Sequence, residues 1–182
     1  MYHTSTKSFE QSYNAQAVVD QEAQIIIAIA VTQEGNDKQQ LIPMVRNIRR
    51  NTAAAPQQLL ADSGFCSEKN LTDKSLEDIE LLIPPDRQQH GNIRMPPPQG
   101  RIPKSISAIE KMRRKLKTAR AKSIYRLRKA IVEPVFGQIK HARNFRQFLL
   151  RGKDNVSHEC ELVCLSHNLK KMFTKGWRPA TT

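Results

Sequence analysis

The sequence predicts an α/β fold in which strands and helices alternate along the first half of the chain. A β-branched run at residues 24–32 has the composition of a buried strand, and shorter apolar segments at 58–62 and 79–83 each follow a helical pattern. Strands that alternate with helices are usually joined by crossover connections. The later strands are therefore expected to be parallel, in a mixed sheet flanked by helices.

The first three elements are two strands and a helix. Residues 14–19 alternate between polar and apolar, as in a half-buried strand, whereas 24–32 is apolar on both faces, as in a central strand. Asp37 is placed to cap a helix over 37–50. The apolar face of this helix consists of Leu41, Met44, Val45 and Ile48.

Shorter elements follow. A buried strand over 58–62 ends in Asp62, and a Ser-Gly turn comes directly after it. Ser67 is a good N-terminal cap, so a helix is expected over 67–75, and the next strand covers 79–83.

The second half of the chain is predicted to be helical after a Pro- and Gly-rich stretch at 86–104, which reads as a mobile insertion. Helix resumes over 105–143 with one break, and a final helix covers 154–173 after an irregular segment. The apolar pattern of that final helix consists of Val156, Cys160, Val163, Cys164, His167 and Leu169.

Length and composition narrow the class of protein. A chain of 182 residues predicts a single domain over 1–182. No apolar run approaches the roughly 20 residues of a membrane span, and the N-terminus has no signal-peptide pattern, so secreted and membrane-spanning classes are not expected. Cys66, Cys160 and Cys164 are expected to be buried thiols in a reducing cytoplasm rather than disulfides or zinc ligands.

The positive charge is concentrated in one segment. The chain carries a net charge of +13, yet residues 101–153 hold 17 Lys or Arg against only two acids, Glu110 and Glu133. The rest of the chain holds 13 basic and 15 acidic residues. A solvated helix face is the ordinary explanation for such a run, but so unequal a ratio favours a phosphate-binding surface. Residues 105–153 are therefore predicted to be a DNA-binding helical segment.

Two carboxylates are candidates for chemistry. Asp62 lies at the end of a buried strand, where ligands of α/β sheets bind, and its alternative role is to form the turn that follows. Glu133 shares a helix face with Arg126, Lys129 and Lys140, and its alternative role is a salt bridge. Together the two carboxylates suit Mg²⁺, while the cations suit a phosphate backbone.

Five motifs resemble a DDE-type transposase of a bacterial insertion sequence, specifically its carboxyl-terminal catalytic part. They are YNAQAVVD at 13–20, LLADSGF at 59–65, VEPVFGQIK at 132–140, FLLRG at 148–152 and HNL at 167–169. The resemblance implies an RNase H-like fold with a two-metal Mg²⁺ (or Mn²⁺) site that cleaves and joins DNA at element ends. It implies Asp62 as the second catalytic Asp and Glu133 as the catalytic Glu, both as metal ligands.

The resemblance also implies which cations contact DNA. Lys140 matches the family's Glu-to-Lys spacing and is expected on DNA phosphates. Family spacing upstream of Glu133 lands on Arg126 and Lys129, with Tyr125 and Arg128 each offset by one residue. The DNA-binding set consists of Arg126, Arg128, Lys129, Lys140 and Arg143. A homo-oligomer in the bacterial cytoplasm, associated with the nucleoid, is expected.

A first strand with the first catalytic Asp has no good counterpart in the sequence. Residues 1–12 are short of apolar side chains, and Glu10 is their only acid. Asp20 is the remaining candidate for a third catalytic carboxylate, but its position fits a hairpin turn better. The chain is therefore expected to be a truncated catalytic domain that is inactive alone.

A second class of function remains open: a non-catalytic protein that binds nucleic acid through its basic segment alone. The sequence has neither Gly-x-x-x-x-Gly-Lys-Ser/Thr nor Gly-x-Gly-x-x-Gly, so no nucleotide cofactor is expected. Both remaining classes predict salt-dependent DNA binding, and only metal-dependent strand cleavage separates them.

Overall fold

The computed structural model describes residues 2–3, 8–9, 12–86, 100, 103 and 105–177. The chain divides into two compact units. Unit 1 comprises Met1–Gly35 and Ile131–Thr182, and unit 2 comprises Asn36–Ala130. The division into units does not test whether they fold together, so a single domain over residues 1–182 stays a prediction.

Unit 1 begins with two pairs of antiparallel strands. Strands β1 (Tyr2–His3) and β2 (Ser8–Phe9) form a short pair. Strands β3 (Asn14–Val19) and β4 (Ile26–Thr32) form a longer hairpin with an irregularity in register near its turn. The predicted strand at 14–19 is confirmed.

The β3–β4 turn is organised by Asp20. Its carboxylate accepts hydrogen bonds from the backbone N–H groups of Glu22, Ala23 and Ile25 at 2.8, 2.9 and 2.7 Å. Gln24 has a positive φ of 58°, which extended strand does not allow. For this reason β4 begins at Ile26 rather than at residue 24 as predicted.

The core of unit 1 is closed by two helices. Helix α4 (Ala119–Gly137) ends in this unit, a π-helical turn (Gln138–Ala142) follows it, and α5 (Lys153–Thr174) packs on the hairpin. The buried core residues are Ile26, Val31, Val135, Ile139, Val156, Cys160 and Cys164. The predicted apolar face of α5 is thus largely confirmed, and Cys160 and Cys164 are free, buried thiols as expected, as is Cys66 in unit 2.

Two polar side chains of α5 attach this helix to the start of β4. Asn168 donates from Nδ2 to the carbonyl of Ile26 and accepts the N–H of Ile26 at Oδ1, both at 2.8 Å. His167 is fully buried, and its Nε2–H donates to the carbonyl of Gln24 at 3.0 Å. The side-chain amide of Asn168 thus makes the two hydrogen bonds to Ile26 that the backbone of a neighbouring strand would otherwise make.

Unit 1 is expected to lose stability in mild acid because of His167. Burial lowers the pKa of His167 below its usual value near 6.5. Below pH 6.5 the unfolded chain takes up a proton that the folded chain does not, so the free energy of unfolding falls by at most about 1.4 kcal/mol per pH unit until the folded pKa is reached. Urea titrations between pH 8 and pH 5 measure this.

The matched variant for that titration is His158→Gln, because His158 is exposed on the same helix. It should keep the acid-dependent loss of stability, whereas His167→Gln should remove that contribution at a constant cost in stability. An identical pH slope in all three proteins would contradict the assignment.

Unit 2 begins with α1 (Leu41–Thr52). Its buried face is the predicted one, with Leu41, Met44, Val45 and Ile48 all nearly inaccessible to solvent. The predicted Asp37 cap is wrong: the helix starts at Leu41, and Gln40 at its N-cap makes no side-chain bond. Asp37 lies too far upstream to cap this helix. Its backbone carbonyl instead accepts a hydrogen bond from the N–H of Gln40.

Strands β5 (Gln58–Leu60) and β6 (Glu80–Leu82) form the sheet of unit 2 and are parallel, as predicted. The crossover between them contains a 3₁₀ turn (Ser63–Phe65), helix α2 (Glu68–Thr72) and a second 3₁₀ turn (Lys74–Leu76). Ser67 caps α2 by accepting the N–H of Asn70, which confirms the predicted helix start.

The described strands form three separate two-stranded sheets rather than one mixed sheet. Strand β4, predicted to be central, has β3 as its one partner among the described residues. Part of the reason is Asn168, which occupies the backbone groups of Ile26. The fold class is therefore α/β in the sense that the chain combines small sheets with helices.

Helix α3 (Ala108–Leu116) begins after the predicted insertion and is separated from α4 by a two-residue break, in agreement with the sequence. Ser107 and Glu68 together cap its N-terminus, since the Glu68 carboxylate accepts the N–H groups of Ala108 and Ile109. Most of the 86–104 insertion lies outside the described residues, so its mobility stays a prediction. Every helix in the described part of the chain is too short or too polar to cross a membrane.

Candidate nucleic-acid interface and carboxylate site

Asp62 lies just beyond the carboxyl end of β5 and caps the 3₁₀ turn that follows. Its Oδ1 accepts the backbone N–H of Ser63 at 2.7 Å. The side chain is nevertheless 60% exposed, so Oδ2 remains accessible to a ligand. Asp62 can therefore stabilise the turn through Oδ1 and bind a ligand through Oδ2. The two roles considered for it from the sequence are compatible.

Two side chains of α4 surround Asp62 within unit 2. Arg128 Nη1 lies 3.9 Å from Asp62 Oδ2, and the Arg128 guanidinium lies 5.7 Å from the centre of the Tyr125 ring. The Tyr125 hydroxyl donates to the carbonyl of Ala61 at 3.2 Å, and burial raises the pKa of this hydroxyl. Arg128, expected to contact DNA, is therefore also, among the described residues, the cation within ion-pair distance of the candidate carboxylate.

Sequence reasoning missed Tyr125 as a member of this site. Family spacing placed Tyr125 and Arg128 one residue out of register, and that offset obscured their connection to Asp62. The spacing of Tyr125 and Arg128 is the sequence signal that links them, because residues three apart on a helix lie on the same side. In the structure this side of α4 faces the end of β5.

Glu133 lies further along α4, in unit 1, with an exposed side chain. Pro134 follows it inside the helix, and a π-helical turn comes directly afterwards. Proline removes one helical hydrogen bond, and π-helical turns recur at functional sites. Lys140 lies in that turn, with its ammonium 5.8 Å from the centre of the Phe136 ring.

The described residues contain no group of three or more His, Cys, Asp or Glu side chains that could hold a metal ion. Asp62 belongs to unit 2 and Glu133 to unit 1. Asp20 also belongs to unit 1, but both of its carboxylate oxygens accept backbone N–H groups of the hairpin turn. Asp20 thus fulfils the turn role that the sequence favoured.

Part of the basic segment is already neutralised within unit 2. Arg113 pairs with Asp86 and Glu110, and both Lys115 and Arg120 pair with Glu80. Hydrogen bonding from Arg113 lowers the pKa of Asp86, which keeps this carboxylate ionised. These cations therefore contribute less to a phosphate-binding surface than their number suggests.

Other cations of the segment are exposed and have no ion pair among the described residues. They are Lys111, Lys122, Arg126, Lys129, Lys140, Arg146, Arg151 and Lys153. Arg143, also expected on DNA, instead donates to the hydroxyl of Ser166 at 3.3 Å. Three of the five predicted DNA-binding residues, Arg126, Lys129 and Lys140, are thus exposed and unneutralised.

Residues 99–173 match the family described as a transposase DDE domain. The match confirms the predicted resemblance to DDE-type transposases. It covers α3, α4 and nearly all of α5, and so includes Glu133, Tyr125 and Arg128, whereas Asp62 lies outside it. No curated protein and no solved structure matches the chain.

Proposed function

We propose that this chain acts in DNA transposition, through metal-dependent phosphodiester cleavage and strand transfer at the ends of a bacterial insertion sequence. The match of residues 99–173 to the transposase DDE domain carries the proposal. The unneutralised cations of α4 support it, because counterion release from DNA favours exposed Lys and Arg over those already paired with acids. A bacterial, nucleoid-associated location and an RNase H-like arrangement belong to the same proposal.

Asp62 and Glu133 are the proposed ligands of Mg²⁺ or Mn²⁺. Both side chains are exposed carboxylates, and hard divalent cations prefer carboxylate oxygens. When bound, a metal pair supplies an activated nucleophile and stabilises the leaving oxygen of an in-line displacement. The attacking oxygen, first of water and then of a DNA 3′-hydroxyl, forms the new P–O bond while the old P–O bond breaks.

The cations of α4 and of the π-helical turn that follows it have a different role in this proposal. Arg126, Lys129 and Lys140 hold the DNA backbone beside Glu133 by charge, whereas Arg128 balances the charge of Asp62. Positioning the scissile phosphate is the main contribution that a protein makes to phosphoryl transfer.

The test of the function is strand cleavage by the purified chain. The substrate is duplex DNA carrying the sequences that flank the coding frame, incubated with Mg²⁺ and, in parallel, with EDTA. Nicking that requires Mg²⁺ supports the proposal. DNA binding without any nicking fits both the inactive fragment expected from the sequence and the second candidate function, a non-catalytic nucleic-acid-binding protein.

Lys129→Ala and Lys140→Ala are each expected to weaken DNA binding about equally for all DNA sequences. Each should lower the slope of log K against log salt by about one, because each removes one phosphate contact. Fluorescence anisotropy measures this slope. The salt concentration is varied from about 50 to about 200 mM, the range in which phosphate contacts strongly change the affinity for DNA.

Lys74→Ala is the matched control for these variants, since Lys74 is an exposed lysine outside the basic segment. Its slope should equal that of the unmodified chain. If Lys129→Ala and Lys140→Ala keep the full slope as well, the cations near Glu133 do not lie on phosphates.

A further inference from the structure

Helix α5 carries a second apolar face that points away from the core of unit 1. Leu162, Leu165 and Leu169 are 67%, 54% and 49% exposed. Leu169, which belongs to the apolar pattern predicted for this helix, thus lies outside its buried face. The three residues, called here the leucine stripe, are spaced by three and four positions, so they line one side of the helix.

Exposed leucines in this arrangement favour association. Burying a leucine side chain contributes roughly 1.5–3 kcal/mol relative to leaving it in water. Spacings of three and four residues are those of a coiled-coil seam, in which each side chain fits between residues of a facing helix. The occupant that fits the leucine stripe is therefore another helix with the same spacing.

The charges of α5 indicate which helix that is. Residues 153–163 carry three acids and one lysine, whereas residues 164–175 carry three lysines and no acid. Asp154 and Glu161 are exposed in the acidic half, and Lys170 and Lys175 are exposed in the basic half. A second α5 running in the opposite direction places each acidic half beside a basic half, and it also opposes the two helix dipoles.

We propose that the leucine stripe is the contact between two copies of this chain, paired antiparallel about a two-fold axis. An interface of this kind uses the same patch on both copies, as most homodimers do. Within the described part of the chain, α5 is the helix that presents a row of exposed leucines, and its acidic and basic halves are complementary to those of a second α5. A seam of three leucines predicts a weak dimer that depends on concentration.

The test measures the mass of the intact chain by sedimentation equilibrium over a wide range of protein concentration. The unmodified chain should shift from monomer to dimer. Leu165→Glu places a charge at the centre of the seam and should keep the chain monomeric. Leu127→Glu, at an exposed leucine of α4, is the matched control and should dimerise normally. Circular dichroism establishes that each variant is folded.

Charge reversal tests the direction of pairing. Asp154→Lys and Lys175→Glu should each weaken the dimer several-fold, and the double variant should restore it, because these two exposed residues lie on the same flank of α5 and face each other only in antiparallel pairing. A monomer at every concentration overturns the proposal and assigns the stripe to another segment or protein. A dimer unaffected by Leu165→Glu overturns it as well. Cleavage activity plays no part in these measurements, so they can fail independently of the proposed function.

Discussion

Where Mg²⁺-dependent DNA cleavage by this chain is observed, Asp62→Asn and Glu133→Gln are each expected to abolish it while leaving DNA binding intact. Each substitution keeps the size of the side chain but removes the negative charge that a divalent cation requires. Metal ions supply several kcal/mol of stabilisation to the transition state, so the cleavage rate should fall by roughly a thousandfold or more. Neutralising Glu133 inside a basic segment should leave the affinity for DNA unchanged or slightly increased.

The chain offers a matched control for each of these variants. Glu110 is the other acid of the basic segment and pairs with Arg113, so Glu110→Gln makes the same change in charge as Glu133→Gln. Asp73 caps the 3₁₀ turn Lys74–Leu76 much as Asp62 caps Ser63–Phe65, so Asp73→Asn reproduces the structural change alone. Both controls should cleave normally. Full cleavage by either Asp62→Asn or Glu133→Gln would remove that residue from the proposed metal site.

Local patterns in the sequence predicted the elements of the fold well. The buried face of α1, the Ser67 cap and the start of the parallel β5–β6 pair all follow from spacing within a few residues. The errors arise where distant residues decide the structure. Strand β4 looks central from its apolar composition, but Asn168, more than 140 positions away, occupies the backbone groups of Ile26.

The candidate site shows the same division between local and distant information. Asp62 could be singled out because it follows a short apolar strand, and the cationic face around Glu133 could be read from helical spacing. The hydrogen bond from Tyr125 to Ala61 joins residues 64 positions apart, and no periodicity in the sequence predicts it. Likewise, the pairing of Lys115 and Arg120 with Glu80 reduces the effective charge of the basic segment in a way that a count of residues does not reveal.

Asn168→Ala is expected to destabilise unit 1 by about 2–3 kcal/mol, a large effect for a single polar side chain. The substitution leaves both the N–H and the carbonyl of Ile26 without their side-chain partners, and each partly buried group left unpaired costs about 1–3 kcal/mol. Urea denaturation followed by circular dichroism measures the change.

The matched control for this last variant is Asn155→Ala, on the same helix. Asn155 is exposed and donates to a single carbonyl, that of Arg151, so its loss should cost less than about 0.5 kcal/mol. Because Ile26 belongs to the core cluster of unit 1, loosening its attachment to α5 should also loosen the packing of the β3–β4 hairpin on the helix. Hydrogen exchange at Ile26 should therefore quicken in Asn168→Ala and stay unchanged in Asn155→Ala. Equal stability of the two variants would mean that water replaces the amide of Asn168 at Ile26 without cost, and that apolar packing alone holds the hairpin against α5.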